Sequence, residues 1–189
     1  MSKKNNLLIL VEGAMLIAVA TVLSYLKIFE MPFGGSITLE MLPLIIMGLR
    51  RGAKWGVLTG FVHGLIQMII GFSNVMYCNT LLAQAGCILL DYLLAFSVLG
   101  LALIFARFLI NKNKVAAYVT GSVVVCVLRF ICSFLSGWLL WGSYAPEGMA
   151  APVYSFLYNG AYMLPDTIIV AVVIAILAAK TPKLFVAEK

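Results

Sequence analysis

Residues Leu7–Leu26, LLILVEGAMLIAVATVLSYL, decide the fold class: twenty consecutive residues carry a single charge, Glu12. A helix of that length covers about 30 Å, the hydrocarbon thickness of a bilayer. It is too long for the apolar part of a cleaved secretion signal, and no small-residue cleavage site follows it, so it is expected to stay as a helix. Further apolar stretches follow at Ile37–Leu49, Trp55–Phe72, Leu81–Leu109, Val115–Trp141 and Val153–Ala179. Ile37–Leu49 contains Pro43 and is short for a crossing, so Lys27–Ser36 before it is expected to fold into the membrane or cap it. Of all residues, 63% are hydrophobic and 11% charged. A soluble domain carries about a quarter charged residues, so this chain lacks a polar coat. The expectation is an all-α integral membrane protein, a bundle of six transmembrane helices forming one domain over residues 1–189. No internal repeat and no linker interrupts it.

The net charge of +6 punctuates the apolar runs instead of forming a solvated basic face, which excludes a nucleic-acid partner. Lys3 and Lys4 precede the first segment. Arg50, Arg51 and Lys54 follow the second; Arg107, Lys112 and Lys114 follow the fourth; Lys180, Lys183 and Lys189 follow the sixth. In a six-segment topology these places fall on one side, leaving Lys27 alone on the other. The positive-inside rule then puts both termini in the cytoplasm. The outer loops Lys27–Ser36, Ser73–Thr80 and Gly142–Pro152 are rich in Gly, Pro and aromatic residues. They suit a lid over an outward pocket, and Trp138 and Trp141 suit an interfacial aromatic belt equally well.

Nothing in the chain reads as catalytic. HExxH, GxSxG and P-loop sequences are absent, and there is a single histidine, His63. Cys78, Cys87, Cys126 and Cys132 show no CxxC spacing and read as small apolar residues, so no metal or cofactor is expected. Any ATP hydrolysis must take place on another chain.

Glu12, Glu40, Asp91, Arg129 and Asp166 fall inside apolar segments, where ionisable groups are costly and mark function by default. In the fifth segment Arg129, Ser133, Ser136, Gly137 and Trp141 recur on one helical face. Gln84, Cys87 and Asp91 share a face of the fourth segment, and Asn159, Tyr162 and Asp166 one of the sixth, with Tyr154 near its outer end. These faces are expected to converge on one outward cavity. For Asp91 two readings stay open: an ion pair with Arg129, or a ligand contact. A carboxylate among Trp and Tyr suits a cationic or heteroaromatic ligand. Gly56, Gly60 and Gly64 make a doubled GxxxG that should pack closely on another helix. His63 reads as a packed, hydrogen-bonded residue. Ala14 and Ala18 have small-xxx-small spacing, for packing inside the bundle or for meeting another membrane protein.

The segments GGSITLEMLPLIIMGLRRGAKWG (34–56), LLDYLLAF (89–96), LSGWLLWGSYAPEG (135–148) and VYSFLYNGAYMLP (153–165) resemble the thiamine-specific substrate-binding subunits, or S components, of energy-coupling factor (ECF) transporters. The resemblance runs from the first segment to KTPKLF. It implies a six-helix protein of the bacterial plasma membrane that binds thiamine from outside. Its implied partners are a transmembrane coupling subunit and two ATPase subunits. It further implies ligand contacts by Asp91, Tyr92, Ser133, Gly137, Trp141, Tyr154 and Asn159, and contact with the coupling subunit by Ala14 and Ala18. Some members have His where this chain has Ser133, Trp where it has Gly34, and Glu where it has Asp91. A thiamine precursor, a hydroxymethylpyrimidine or a thiazole, therefore stays open as the ligand. Two other classes compete with the resemblance. One is an autonomous proton-coupled secondary transporter working through Glu12, Asp91 and Asp166, against which the missing inverted repeat counts. The other is an intramembrane enzyme or a small structural subunit.

Overall fold

A chain this apolar turns its hydrocarbon outward. The computed structural model describes residues 3–32, 34–78 and 80–186, with 3–5 described by backbone alone. Leu7, Val22, Ile69, Leu81, Leu139 and Phe156 are exposed, whereas Thr59, His63, Ser136, Asn159 and Asp166 are buried. This reverses the partition of a soluble domain. Helices satisfy their own backbone groups and need no water, so lipid can cover such a surface. Five helices are long and apolar enough to cross a membrane: Asn6–Tyr25, Ala53–Ile70, Leu81–Ala106, Lys114–Leu139 and Ala151–Lys180. The protein is a multi-pass helical membrane protein.

In chain order, α1 is Lys3–Tyr25 and leads to an antiparallel pair, β1 (Phe29–Glu30) with β2 (Ser36–Ile37). Then come α2 (Met41–Arg51), α3 (Ala53–Ile70) and the short α4 (Phe72–Val75). The long helices that follow are α5 (Leu81–Ala106), α6 (Lys114–Leu139) and α7 (Ala151–Lys180). Direction alternates along the chain. Gly13 meets Thr59 and Thr21 meets His63, so α1 and α3 run in parallel, while α2 returns between them and brings Arg50 and Arg51 to Glu12. The basic residues Arg50, Arg51, Lys54, Arg107, Lys112, Lys114, Lys180 and Lys183 accordingly flank helix ends on one side; Lys189 lies outside the described residues.

Two expectations need correcting. The second helix was expected over Ile37–Leu49, but Ile37 pairs in β2 and α2 starts at Met41. Pro43 favours this start: it has no N–H and its ring crowds the carbonyl four positions earlier, so the first turn is where it costs least, although α7 accommodates Pro165 inside its length. At about 16 Å, α2 alone is shorter than the hydrocarbon core, and most of it is buried in the protein core. The fourth helix ends at Ala106, not Leu109, and is irregular. Its α-helical turns are interrupted by a π segment, Ile88–Leu94, and a 3-10 turn, Val98–Leu101. This is the partner of the doubled GxxxG. Gly56, Gly60 and Gly64 of α3 face the backbone carbonyls of Gly100, Phe96 and Tyr92 in turn. A Cβ on Gly64 would stand 2.6 Å from the Tyr92 carbonyl oxygen, so only glycine allows this approach.

Candidate functional site

A cavity of about 460 Å³ lies among the β-pair, α3, α5, α6 and α7, within the range of small-molecule sites. The π segment of α5 delivers Asp91 and Tyr92 to it; π turns recur at functional positions. Ser136 donates to Asp91 Oδ2 at 2.5 Å, and the Cys87 thiol approaches the same oxygen at 3.4 Å. Among the described residues Asp91 forms no ion pair.

The pairing of Asp91 with Arg129 is thus overturned. Arg129 Nη2 donates to Glu40 Oε1 at 2.9 Å, and its guanidinium lies 4.1 Å from the centre of the Phe96 ring. Gln67 Nε2 donates to Glu40 Oε2 at 3.1 Å. Glu40 stands just ahead of α2 because Pro43 stops the helix from reaching back over it. The pair forms the inner end of the cavity, and its mutual neutralisation leaves Asp91 as the carboxylate available to a cation. His63 is fully buried beside this pair, edge-on to Phe96 and 3.5 Å from Thr21 Oγ1.

Glu12 and Asp166 belong elsewhere. Glu12 pairs with Arg50 at 2.5 Å and Arg51 at 2.6 Å at the basic end. Asp166 accepts the Thr38 backbone N–H at 2.9 Å, tying the end of the β-pair to α7. Neither lines the cavity, so Glu12, Asp91 and Asp166 do not form one proton path.

Each of the seven expected ligand residues borders the cavity, but they differ in what they offer. Tyr92 donates its hydroxyl to the Gly71 carbonyl at 3.0 Å and so presents its ring. Asn159 is engaged internally: Nδ2 donates to the Ser155 carbonyl at 2.9 Å and Oδ1 accepts from Tyr162 at 2.8 Å. A Cβ on Gly137 would collide with Ser155 Oγ and Asn159 Nδ2. Gly137 therefore lets α6 and α7 close on each other instead of making room for a ring. Ser133 is buried on the same wall. Trp141, expected as the last residue of a helix, lies just beyond α6, which ends at Leu139. It packs near Tyr144, with ring centres 5.6 Å apart. Trp138 is exposed on another face and Trp55 sits beside Lys54, so neither borders the cavity. Ala14 and Ala18 are exposed on α1.

Glu40, marked in the sequence only as an intramembrane charge, borders the cavity, as do Gln67, Asn74, Tyr144 and Tyr158, which sequence reasoning did not assign to it; Tyr162, expected on a face converging there, borders it too. One signal was available: Tyr154, Tyr158 and Tyr162 recur every fourth residue, one ladder on α7. Tyr158 donates to the Gly34 carbonyl at 3.0 Å, and the ring of Tyr162 lies against Gly35, holding the β-pair at the cavity's edge. Lys27 and Glu30 pair at 2.5 Å at the mouth. An unpaired carboxylate enclosed by Tyr, Trp and hydroxyl groups can hold a flat organic cation, by charge on one side and by ring faces on the others. Among the described residues no group of His, Cys, Asp and Glu is arranged to hold a metal ion.

Comparison with known proteins gives the same direction. The family model described as Thiamine transporter protein (Thia_YuaJ) matches residues 10–186. The chain is 32% identical over 198 residues to the thiamine transporter ThiT of Bacillus subtilis, covering all of both chains. It is 29% identical to the thiamine transporter ThiT of Lacticaseibacillus paracasei, over 100% of this chain and 95% of that one. The solved structure of ThiT from Listeria monocytogenes superposes with a TM-score of 0.77 at 29% identity, over 96% of this chain and 98% of that one.

Proposed function

The chain belongs to the Thiamine transporter protein (Thia_YuaJ) family, and from that premise we propose that it captures thiamine at the outer face of the bacterial cell membrane and takes part in its uptake. The observation that carries the reading is Asp91, a carboxylate with no ion-pair partner among the described residues, inside a cavity walled by Tyr92, Trp141 and the α7 tyrosines. Thiamine is a flat heteroaromatic cation, the ligand class such a site takes. Asp91, Tyr92, Trp141 and Tyr154 would contact it, while Ser133, Gly137 and Asn159 hold the wall behind them. A precursor such as hydroxymethylpyrimidine carries no permanent positive charge and would meet Asp91 through hydrogen bonds alone.

In this reading the protein is a single-domain substrate-binding subunit with both termini in the cytoplasm. It delivers its ligand by docking, through the Ala14–Ala18 face of α1, on an ECF coupling subunit driven by two ATPase subunits. The chain's lack of a nucleotide-binding motif is consistent with an engine on other chains. Purified protein should bind thiamine saturably without ATP or an ion gradient, read by Trp fluorescence, and vesicles should take it up only when coupling and ATPase subunits are added. Uptake by the isolated chain driven by a proton gradient would overturn the reading.

A further inference from the structure

The basic end of the bundle carries more charge than the fold uses. Glu12 is the acidic side chain there among the described residues, and Arg50 and Arg51 take it. Arg50 also donates to the Lys183 and Leu184 carbonyls at 3.1 and 2.9 Å. Lys54, Arg107, Lys112, Lys114, Lys180 and Lys183 are exposed and make no ion pair among the described residues. They are not spread evenly. Arg107, Lys112 and Lys114 stand in the turn RFLINKNK (107–114) that joins α5 to α6. Tyr118, one turn into α6, stacks on Phe185 with ring centres 4.7 Å apart, which brings the C-terminal turn and its Lys183 alongside.

The turn is compact and tied to the helices. The Leu109 N–H donates to the Ala106 carbonyl at 3.1 Å and the Lys112 N–H to the Leu109 carbonyl at 2.9 Å. Asn113 Oδ1 accepts the Ala116 N–H at 3.0 Å, and Gly121 lies against the Ala102 carbonyl, drawing α6 onto α5. Its cations are therefore held close together where α5 leaves the hydrocarbon. Phe108, beside Arg107, is 80% exposed, an apolar ring that the protein leaves uncovered at the same level. Cations at the headgroup level and a bare ring at the acyl boundary fit the two ends of a phospholipid; a small soluble anion has nothing to place against Phe108. Clusters of Lys and Arg next to a membrane helix draw anionic lipid headgroups, whereas a zwitterionic headgroup offsets its phosphate with its own cation. We propose that the α5–α6 turn, with Lys180 and Lys183 beside it, binds an anionic phospholipid from the leaflet on this side, its phosphate among Arg107, Lys112 and Lys114 and its acyl chains against Phe108.

The lipid site lies away from the cavity and does not depend on the function proposed above. Purified protein in a neutral detergent is equilibrated with stepped concentrations of phosphatidylglycerol or of phosphatidylcholine with the same acyl chains, and bound lipid is counted by native mass spectrometry. Phosphatidylglycerol should bind at least about tenfold tighter than phosphatidylcholine. Each Lys or Arg near an anionic surface strengthens binding about fivefold, so Lys112→Gln and Lys114→Gln should each weaken phosphatidylglycerol by about that factor. Arg107→Gln/Lys112→Gln/Lys114→Gln should weaken it about a hundredfold and leave phosphatidylcholine unchanged. These exposed changes should leave the melting temperature in neutral detergent near that of the parent, and Lys27→Gln, on the opposite side, should leave lipid binding unchanged. Equal affinity for the two lipids would overturn the proposal and leave the charge to an acidic protein surface. Unchanged phosphatidylglycerol binding in the triple variant, or in both single variants should the triple melt early, would overturn the placement at this turn. Displacement of the lipid by an equal concentration of inorganic phosphate would make this a site for free anions and overturn the lipid as its occupant.

Discussion

Asp91→Asn removes one charge and almost no volume, so it isolates what the carboxylate contributes. In the native protein Ser136 and Cys87 direct donors at Asp91, and no ion-pair partner reaches it among the described residues. A cationic ring about 4 Å away gains about 4 kcal/mol at an effective dielectric constant of about 20. Stripping water from the cation offsets roughly half of that, leaving about 2 kcal/mol, or about thirtyfold in Kd. The asparagine keeps an oxygen for Ser136, so the fold should persist, and relief of an unneutralised buried charge should leave the melting temperature of the ligand-free protein level or higher. Calorimetric titration with thiamine and a thermal melt of the same sample read both quantities. A Kd unchanged within about twofold, in a variant that melts like the parent, would refute the assignment of Asp91 to the ligand.

Glu40→Gln should leave Arg129 buried without its carboxylate. Breaking such a pair costs about 3–5 kcal/mol, or roughly 6–20 °C in melting temperature, so the variant should melt well below the parent. Trp141→Ala should weaken thiamine binding by about ten- to a hundredfold, given about 1–3 kcal/mol for stacking, and remove most ligand-induced quenching. Trp138→Phe should leave quenching in place. Ala14→Trp with Ala18→Trp should abolish uptake in a reconstituted complex while leaving the isolated protein's titration intact; loss of titration as well would assign that face to the bundle.

The spans were legible because the bilayer sets one length and one chemistry for all of them, and Leu7–Leu26 meets both. The glycine series of α3 was legible as a notch, since small residues every fourth position can only make a groove. Its consequence in the partner was not. That α5 answers the notch with bare carbonyls, and opens into a π turn at Asp91, depends on contacts between segments distant in sequence. The β-pair was equally hidden: it has two residues a side, too few for an alternation pattern to show. With it went Glu40. The sequence offers Asp91, Glu40 and Arg129 in the outer half of the protein without saying which carboxylate takes the cation. Pro43 was the clue, since it places the start of α2 and so frees Glu40 from a helix interior.

That choice of partner bears on function because, among the described residues, Arg129 is the arginine that lines the cavity with Asp91 and Glu40. Had Arg129 joined Asp91, the cavity would be neutral where Tyr92 and Trp141 line it, and Glu40 would carry the uncompensated charge at the inner end beside His63. Pairing Arg129 with Glu40 instead moves the unneutralised charge to the aromatic wall. A fold selected for stability alone would replace such an Asp by Asn or a small apolar residue, because an ionised group in a protein interior costs several kcal/mol when nothing compensates it. In the proposed function the cationic ligand supplies the charge that balances Asp91. Thiamine should accordingly raise the melting temperature of the native protein by more than it raises that of Asp91→Asn at the same thiamine concentration, since the stabilisation follows [L]/Kd. Equal shifts would mean that the charge was balanced before the ligand arrived.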